Sequence, residues 1–342
     1  MKFNNIKEDL IFLKNKKKFY KTENIWEKRS REFLNHMMDD YYNVDYHFFK
    51  NFRSDKKRFI AENPSTQLSN FFLRSIYSHQ FTYINFIYKK LKRVNKKIDH
   101  YLKLFKLDEV GNPGYCVINN FKLNERFLRH CHFFSIFDKF FDQKKISYVI
   151  DIGGGYGSFA RLIHKKYKNI KLIIIDLPEQ LIMAKYYLEK NFPNSKISNI
   201  RDIYKIKKIN HFYLSKYNIL LIPHKQYNKI NINLKKNLTI NFNSFGEIDK
   251  YTFDKYMKSD LLKKSKYFFS VNRIDSFPTY NNNLSFLDYR FENYKKLYNN
   301  ISPVWDYFFV KKFYLFKVKR VFTSRVLEFI GKNKMFKKIT KC

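Results

Sequence analysis

Hydrophobic positions along this chain follow two different periods. Up to about residue 105 the apolar residues recur at helical spacing, as in the segment 71–91, and this stretch contains no glycine. From residue 146 onwards, short continuous apolar runs alternate with segments of helical spacing. Continuous runs are typical of strands in a parallel sheet whose two faces are both covered by helices. The pattern therefore predicts an α/β fold preceded by a helical extension.

The changes in pattern divide the chain into four segments. We predict a helical N-terminal extension over 1–105, a connecting loop and helix over 106–145, the α/β domain over 146–320 and a basic C-terminal tail over 321–342. The strands predicted for the domain are 146–152, 171–176, 218–222, 238–242, 267–271 and a closing pair within 305–318. The tail mixes basic residues with phenylalanines, which fits either a last strand with a docked terminal helix or an amphipathic helix on a membrane surface.

Four of the eight glycines lie in one short stretch, 153–157. This stretch follows an apolar run and precedes the helix-like segment 158–164. Glycine raises the entropy of the unfolded chain, so such a cluster is expected where the backbone takes a special conformation or approaches a ligand closely. A strand, a glycine turn and a helix in this order build a nucleotide-type site. We therefore place a ligand against Gly153, Gly155 and Gly157.

The residues around this turn indicate a positively charged ligand. Asp151 stands two residues before the first glycine, where a carboxylate would repel a pyrophosphate but attract a cation. Ser158 stands where a dinucleotide fingerprint has its third glycine. Asp176 ends the next apolar run about 20 residues after the glycines, the distance at which a strand-helix-strand unit brings a carboxylate to ribose hydroxyls. These features favour S-adenosylmethionine, which carries a sulfonium and an ammonium but no phosphate, and leave a nicotinamide dinucleotide as the alternative.

Four segments resemble a known family. Val-Ile-Asp-Ile-Gly-Gly-Gly-Tyr-Gly at 149–157 and Ile-Asp-Leu-Pro-Glu at 175–179 resemble the sugar O-methyltransferases, a group within the class I S-adenosylmethionine-dependent methyltransferases. The acid-Gly-Asn-Pro loop at 109–113 is similar to a loop of that family. The segment 241–248 is similar to the family's Asn-x-x-Ser-Phe-x-Glu-Met motif, although Gly246 and Ile248 depart from the commoner residues. The resemblance covers roughly residues 105–310.

The resemblance implies a Rossmann-like sheet that binds S-adenosylmethionine. The residues assigned to the cofactor are Asp151, Gly153, Gly155, Gly157, Asp176 and Leu177. The family likeness further implies methyl transfer to a hydroxyl of a sugar or glycan acceptor. It places this reaction in the biosynthesis of a surface polysaccharide such as an O-antigen or a capsule.

Methyl transfer to an alcohol requires a group that takes the hydroxyl proton. Glu247 follows the predicted strand 238–242, and ligands of open α/β sheets bind at the carboxyl ends of the strands, so we predict Glu247 as the general base. The same position suits a structural acid that caps a helix. His224, after the run 218–222, is the second candidate. No acid–histidine cluster has metal-ligand spacing, so we predict no metal.

Composition limits the location and the partners. The formal net charge of +38 predicts a solvated basic surface or a contact with an anionic membrane surface or glycan. Lysine far outnumbers arginine, which disfavours a nucleic-acid partner. No apolar run is long enough to span a bilayer, and residues 1–10 do not resemble a secretory signal. The odd number of cysteines, Cys116, Cys131 and Cys342, indicates reduced thiols. We expect a cytoplasmic protein, either free or peripheral at the inner face of the membrane.

Two other functions stay open. A small-molecule or aromatic O-methyltransferase also has Asp-Leu-Pro after its second strand, but such enzymes usually present a catalytic histidine after a later strand, and here no histidine follows His224. A non-catalytic protein that binds membranes or polyanions would keep the core only as a scaffold. The intact Asp151, Asp176 and glycines argue against that reading.

Overall fold

The structure is a computed structural model. It describes residues 3–17, 25–54, 79–232, 234–274, 284, 288–289, 291–304, 307–311, 318–322 and 325–336. The α-helices are α1 (Phe3–Lys17), α2 (Ile25–Met37), α3 (Tyr46–Asn51), α4 (His79–Val94), α5 (Ile98–Phe105), α6 (Glu125–Phe140), α7 (Ser158–Lys166), α8 (Pro178–Asn191), α9 (Ile200–Lys205), α10 (His211–Ser215), α11 (Lys250–Lys258) and α12 (Asp260–Lys263). The strands are β1 (Cys116–Ile118), β2 (Phe121–Leu123), β3 (Tyr148–Ile152), β4 (Lys171–Asp176), β5 (Ile219–Pro223), β6 (Asn237–Phe242), β7 (Tyr267–Arg273), β8 (Tyr294–Ile301), β9 (Tyr307–Lys311), β10 (Val318–Phe322) and β11 (Val326–Asn333).

The chain forms two compact units. The first consists of Met1–Phe140, Tyr186–Pro193 and Pro303–Thr323. The second consists of Phe141–Lys185, Asn194–Ser302 and Ser324–Cys342. The predicted connecting segment 106–145 therefore falls, up to residue 140, in the same unit as the N-terminal helices.

The first unit is mainly helical. Its helices α2 to α6 bury aromatic side chains, among them Phe33 and Phe48, whose ring centroids are 5.3 Å apart in an edge-to-face arrangement. The two-stranded sheets β1–β2 and β9–β10 are both antiparallel. Cys116 and Cys131 are buried free thiols, as predicted, and burial raises the pKa of Cys116 to about 11. Cys342 lies outside the described residues.

The acid-Gly-Asn-Pro loop has a structural role inside the first unit. Gly111 has a φ of +79°, and a Cβ at this position would overlap the ring of Phe52. Arg53, only 2% exposed, donates its guanidinium to Asp108 Oδ1 at 2.9 Å and to the Val110 carbonyl at 2.9 Å. Tyr187 donates its hydroxyl to the second oxygen of Asp108 at 2.7 Å. The buried guanidinium therefore fixes the loop, and glycine is required there by the close approach of an aromatic ring.

The second unit is built on a seven-stranded sheet in the order β5-β4-β3-β6-β7-β11-β8. Strands β5, β4, β3, β6 and β7 are parallel, and β11 is antiparallel to both β7 and β8. The inner strands are buried along almost their whole length because apolar residues point to both faces, as in Ile173 and Ile174 of β4. The predicted α/β class is confirmed. No helix in the described part of the chain is both long and apolar enough to cross a membrane.

The two strands that close the sheet differ from the prediction. The predicted closing pair within 305–318 is wrong, because β9 and β10 form a separate antiparallel pair and residues 312–317 lie outside the described residues. Instead, β8 and β11 complete the main sheet. Strand β8 is an edge strand whose residues are mostly exposed, so it lacks an apolar run that could reveal it. The sheet also extends past residue 320: β11 lies between two other strands, so residues 326–333 are not a separate tail. Residues 337–342 of that tail lie outside the described residues.

Candidate functional site

The chain reverses its direction of growth across the sheet between β3 and β6. From β3 it continues to β4 and β5 on one side, then returns to β6 and β7 on the other. In open α/β sheets the loops at such a switch point diverge and leave a crevice at the carboxyl ends of the strands, where ligands bind. The glycine stretch 153–157 follows β3 directly, and Glu247 lies in the segment after β6.

The glycine loop has the conformation that its sequence predicts. Gly153, Gly155 and Gly157 have φ values of +73°, +56° and +84°, a region that disfavours every residue with a side chain. The Gly153 amide donates to the Ile175 carbonyl at 2.7 Å, which ties the loop to the end of β4. Apart from Gly155 itself and its two neighbours in the chain, no described residue has an atom within 4 Å of the position that a Cβ at Gly155 would take. The loop therefore leaves open space beside Gly155, where a ligand could approach the backbone.

The first two glycines are required by packing inside the protein. A Cβ at Gly153 would overlap the Ser244 hydroxyl. A Cβ at Gly154 would lie 2.8 Å from both Asp151 Oδ2 and a methyl group of Ile174. Gly154 was not among the predicted site residues, because it falls between the alternate glycines 153, 155 and 157 to which the ligand was assigned.

Asp176 holds the glycine loop and the start of the next loop together. Its carboxylate accepts the Gly155 amide at 2.6 Å and the Leu177 amide at 2.7 Å, one on each oxygen. Burial raises the pKa of Asp176 to about 6 despite these two hydrogen bonds, and the charge of Glu179 adds to the rise. A carboxylate can accept about four hydrogen bonds, so lone pairs of Asp176 stay available to hydroxyl donors of a ligand.

Asp151 is a buried carboxylate without a hydrogen-bond donor among the residues that the structure describes. The residue is 5% exposed and belongs to β3, directly before the glycine loop. Burial raises its pKa to about 8, and the nearby charge of Asp176 adds to this effect. A buried charge without a partner is costly, so this position favours a ligand that brings a positive charge or hydrogen-bond donors.

A polar network that the sequence analysis did not assign joins β3, β6 and β7 at the switch point. Asn241 donates its side-chain amide to the Ile152 carbonyl at 2.7 Å and to the Ser244 hydroxyl. Ser244 Oγ also lies 3.1 Å from that carbonyl. Asn272 of β7 donates to Asn241 Oδ1 at 2.9 Å. Asn241 and Ser244 both belong to the segment 241–248, and they hold the end of β3 in place.

Glu247 lies where the sequence places it, after β6 on the carboxyl side of the sheet. It ends a short 3₁₀ helix, Phe245–Glu247, and its amide donates to the Ser244 carbonyl at 3.0 Å. The side chain is half-buried. His224 begins another 3₁₀ helix, His224–Lys229, directly after β5. Both residues are thus on the ligand side of the sheet, and the catalytic role of Glu247 stays a prediction.

A pair of tyrosines, one of which lies near Asp176, was missed by the sequence analysis. Burial raises the pKa of Tyr256, and the negative charge of Asp176 contributes, which places the hydroxyl of this α11 residue near that carboxylate. The rings of Tyr256 and Tyr227 are 4.6 Å apart. Tyrosine is abundant in this chain, so sequence alone did not distinguish these two. Within the described ranges, no group of three His, Cys, Asp or Glu side chains could hold a metal ion.

The segment that carries this geometry matches a family model. Residues 134–204 match an O-methyltransferase domain, which is about a fifth of the chain and includes β3, the glycine loop and Asp176. The match supports an S-adenosylmethionine-dependent methyltransferase. None of the curated proteins matches the chain significantly.

Solved structures similar to this chain share little sequence with it. A protein from Thermoplasma acidophilum has 13% identity and a TM-score of 0.36, with 61% of this chain and 91% of that chain covered. The mitomycin 7-O-methyltransferase has 9% identity and a TM-score of 0.33, with 71% of this chain and 68% of that chain covered. These scores are low, so the two structures say nothing about the activity or the substrate of this chain.

Proposed function

We propose that this protein is an S-adenosylmethionine-dependent O-methyltransferase that acts on a sugar hydroxyl in the assembly of a surface polysaccharide. The observation that carries the cofactor part is the buried carboxylate of Asp151, which has no hydrogen-bond donor among the described residues and stands beside a glycine loop with open space at Gly155. A cationic nucleoside satisfies both features, because it brings positive charge to the carboxylate and fits closely against a backbone without side chains.

The residues present fit this cofactor. Asp151 would face its positive charge, Gly155 would let it approach the backbone, and Asp176 would accept the ribose hydroxyls on its free lone pairs. Leu177, with its amide bonded to Asp176, would pack against the base. When bound, the cofactor supplies a methyl group that is already activated by the adjacent sulfonium.

The protein then has to align the acceptor and remove its proton. Glu247 follows β6, next to the crevice at the switch point, and its half-buried carboxylate is our candidate for the group that takes the hydroxyl proton. The network of Asn241 and Ser244 would fix the backbone on which Glu247 is carried. Alignment of the hydroxyl with the methyl group and exclusion of water would supply the rest of the rate enhancement.

The sugar acceptor rests on the likeness of four segments, 109–113, 149–157, 175–179 and 241–248, to sugar O-methyltransferases. An aromatic acceptor is less well supported, because no histidine follows His224 in the sequence. A non-catalytic scaffold would have no use for a buried carboxylate that lacks a donor within the described part of the chain, as Asp151 does.

Calorimetry and a transfer assay test the proposal in two steps. We expect the full chain to bind S-adenosylhomocysteine and not NAD, and binding of NAD alone would refute the cofactor. We then expect transfer of labelled methyl groups from S-adenosylmethionine to one acceptor in a panel of free, nucleotide-linked and lipid-linked sugars. Transfer only to phenolic acceptors would favour the aromatic alternative, and cofactor binding with no transfer to either class would favour the scaffold.

A further inference from the structure

The edge of the sheet opposite the glycine loop carries a row of lysines. Lys236 directly precedes β6, and Lys266 directly precedes β7. Lys332 pairs with Tyr267 at the start of β7 because β11 is antiparallel, and Lys295 of β8 pairs with Lys332. Four neighbouring strands thus place a lysine at the same amino-terminal edge. We call Lys236, Lys266, Lys295 and Lys332 the lysine edge.

The charges of the lysine edge are not neutralised within the described residues, and three of them interact. None of the four has a carboxylate within ion-pair distance in that part of the chain. Burial lowers the pKa of Lys266, and the charges of Lys332 and Lys236 lower it further, so each of these two ammonium groups lies near that of Lys266. Like charges held together cost free energy, and a bound anion would remove this cost.

An apolar pocket adjoins the lysine edge. It has a volume of about 380 Å³ and is lined by Leu262, Phe268, Phe291, Tyr294 and Met335, with Lys263 and Lys334 among its lining residues. Met335 is 76% exposed although it is apolar. The pocket therefore combines aromatic and aliphatic walls with further positive charge, which suits a ligand that has both an anionic group and a hydrocarbon chain.

We propose that the lysine edge and its pocket form a docking site for a bilayer that contains anionic phospholipids. The headgroup phosphates lie among the four lysines, while Met335 enters the interface and the pocket receives part of one acyl chain. A nucleic acid would satisfy the lysines but has no hydrocarbon chain for the pocket. The seven residues of β7 span roughly 20 Å between the lysine edge and the carboxyl ends of the strands. Docking at the lysine edge therefore leaves the glycine loop at the opposite end accessible. The proposal does not depend on methyl transfer.

Vesicle sedimentation tests the charged part of the site. The full chain is mixed with vesicles of phosphatidylcholine alone or of phosphatidylcholine with phosphatidylglycerol. The salt concentration is about 0.1 M, at which charges interact over about 10 Å. We expect binding only to the anionic vesicles. Lys236→Gln/Lys332→Gln should weaken it about 30-fold, since each lysine near an anionic surface contributes about 1 kcal/mol. The matched control is Lys225→Gln/Lys255→Gln, which removes the same charge from two exposed lysines. Lys225 lies in the segment directly after β5, and the carbonyl of Lys255 accepts a hydrogen bond from Tyr227 of that segment. This control should bind like the wild type.

A second variant tests the apolar part. Met335→Gln keeps the charge and changes an exposed side chain, so it should fold normally and bind anionic vesicles about tenfold more weakly. An equal loss of vesicle binding in Lys236→Gln/Lys332→Gln and in the control Lys225→Gln/Lys255→Gln would overturn the proposal. The attraction would then come from the net charge of the whole chain. Unchanged binding by Met335→Gln, together with displacement of vesicles by a single-stranded polynucleotide, would assign the edge to a soluble polyanion instead.

Discussion

The pH dependence of cofactor binding offers the most direct test of the site. Burial raises the pKa of Asp151 to about 8 and that of Asp176 to about 6 when no ligand is bound. At neutral pH, Asp151 therefore carries a proton in most molecules. A cationic ligand binds the ionised carboxylate, so binding must expel that proton, and affinity should rise with pH.

The magnitude follows from the pKa of Asp151. Below about pH 8 the association constant should increase about tenfold for each pH unit, and above pH 8 it should become constant. At pH 7 the cost of deprotonation is about 1.4 kcal/mol, the value of one pKa unit. Below about pH 6 the slope should steepen, because Asp176 then also carries a proton. The association constant rises with pH because burial raises the pKa of Asp151 in the free protein and the positive charge of the bound ligand lowers it.

Calorimetric titration with S-adenosylmethionine between pH 6 and 9 measures this slope. Repeating each titration in two buffers of different ionisation enthalpy counts the protons released, and we expect about one proton per ligand at pH 7. Asp151→Asn should bind more weakly at pH 9 and lose most of the dependence above pH 6. An affinity that is flat from pH 6 to 9, with no proton released, would refute the assignment of Asp151 to the positive charge of the cofactor.

Four substitutions separate the roles of the remaining site residues. Asp176→Ala should weaken cofactor binding by about 1.5–3 kcal/mol because it removes charge-assisted hydrogen bonds, and an unchanged Kd in calorimetry would show that this acid does not contact the ligand. Gly155→Val should lower the free energy of unfolding, because φ at this position is +56°, but should still fold as judged by circular dichroism. The folded variant should no longer bind S-adenosylhomocysteine, because its side chain enters the open space beside the loop; wild-type affinity would contradict the site. Gly153→Ala should lower the free energy of unfolding by about 1–3 kcal/mol through its positive φ and its overlap with Ser244, and denaturant titration with an unchanged midpoint would contradict this packing. Glu247→Gln should lower kcat by about two to four orders of magnitude with little change in cofactor Kd, whereas a lower Tm with full activity per folded molecule would make Glu247 structural.

Local sequence patterns predicted the parts of the site that lie close together along the chain. The glycine stretch 153–157, Asp151 and Asp176 belong to one strand-turn-helix-strand unit, so their spacing alone places them at the same end of two neighbouring strands. The strands β3 to β7 were recognisable for a related reason, since continuous apolar runs are rare outside a sheet covered on both faces.

Contacts between distant segments could not be predicted in this way. Tyr256 reaches the neighbourhood of Asp176 from a helix that lies 80 residues further along the chain. Edge strand β8 and the antiparallel β11 complete the sheet without a distinctive hydrophobic pattern on β8. These features depend on which elements meet in space, and a single sequence carries no local signal of that pairing.

Strand β6 shows why a polar position in the sequence does not indicate an exposed face. Its alternate residues Asn237, Thr239 and Asn241 are all fully buried, although a period of two would place them toward solvent. Asn237 donates to Ser265 at 2.6 Å, and Thr239 shares a hydrogen bond of 2.6 Å with the same hydroxyl. Because buried polar groups lose much of their cost only when they are hydrogen-bonded, this face of β6 fixes the strand's position more narrowly than an apolar face would. The last member of the row, Asn241, extends the same arrangement to the carboxyl end. The strand that leads to Ser244 and Glu247 is therefore held at both of its ends.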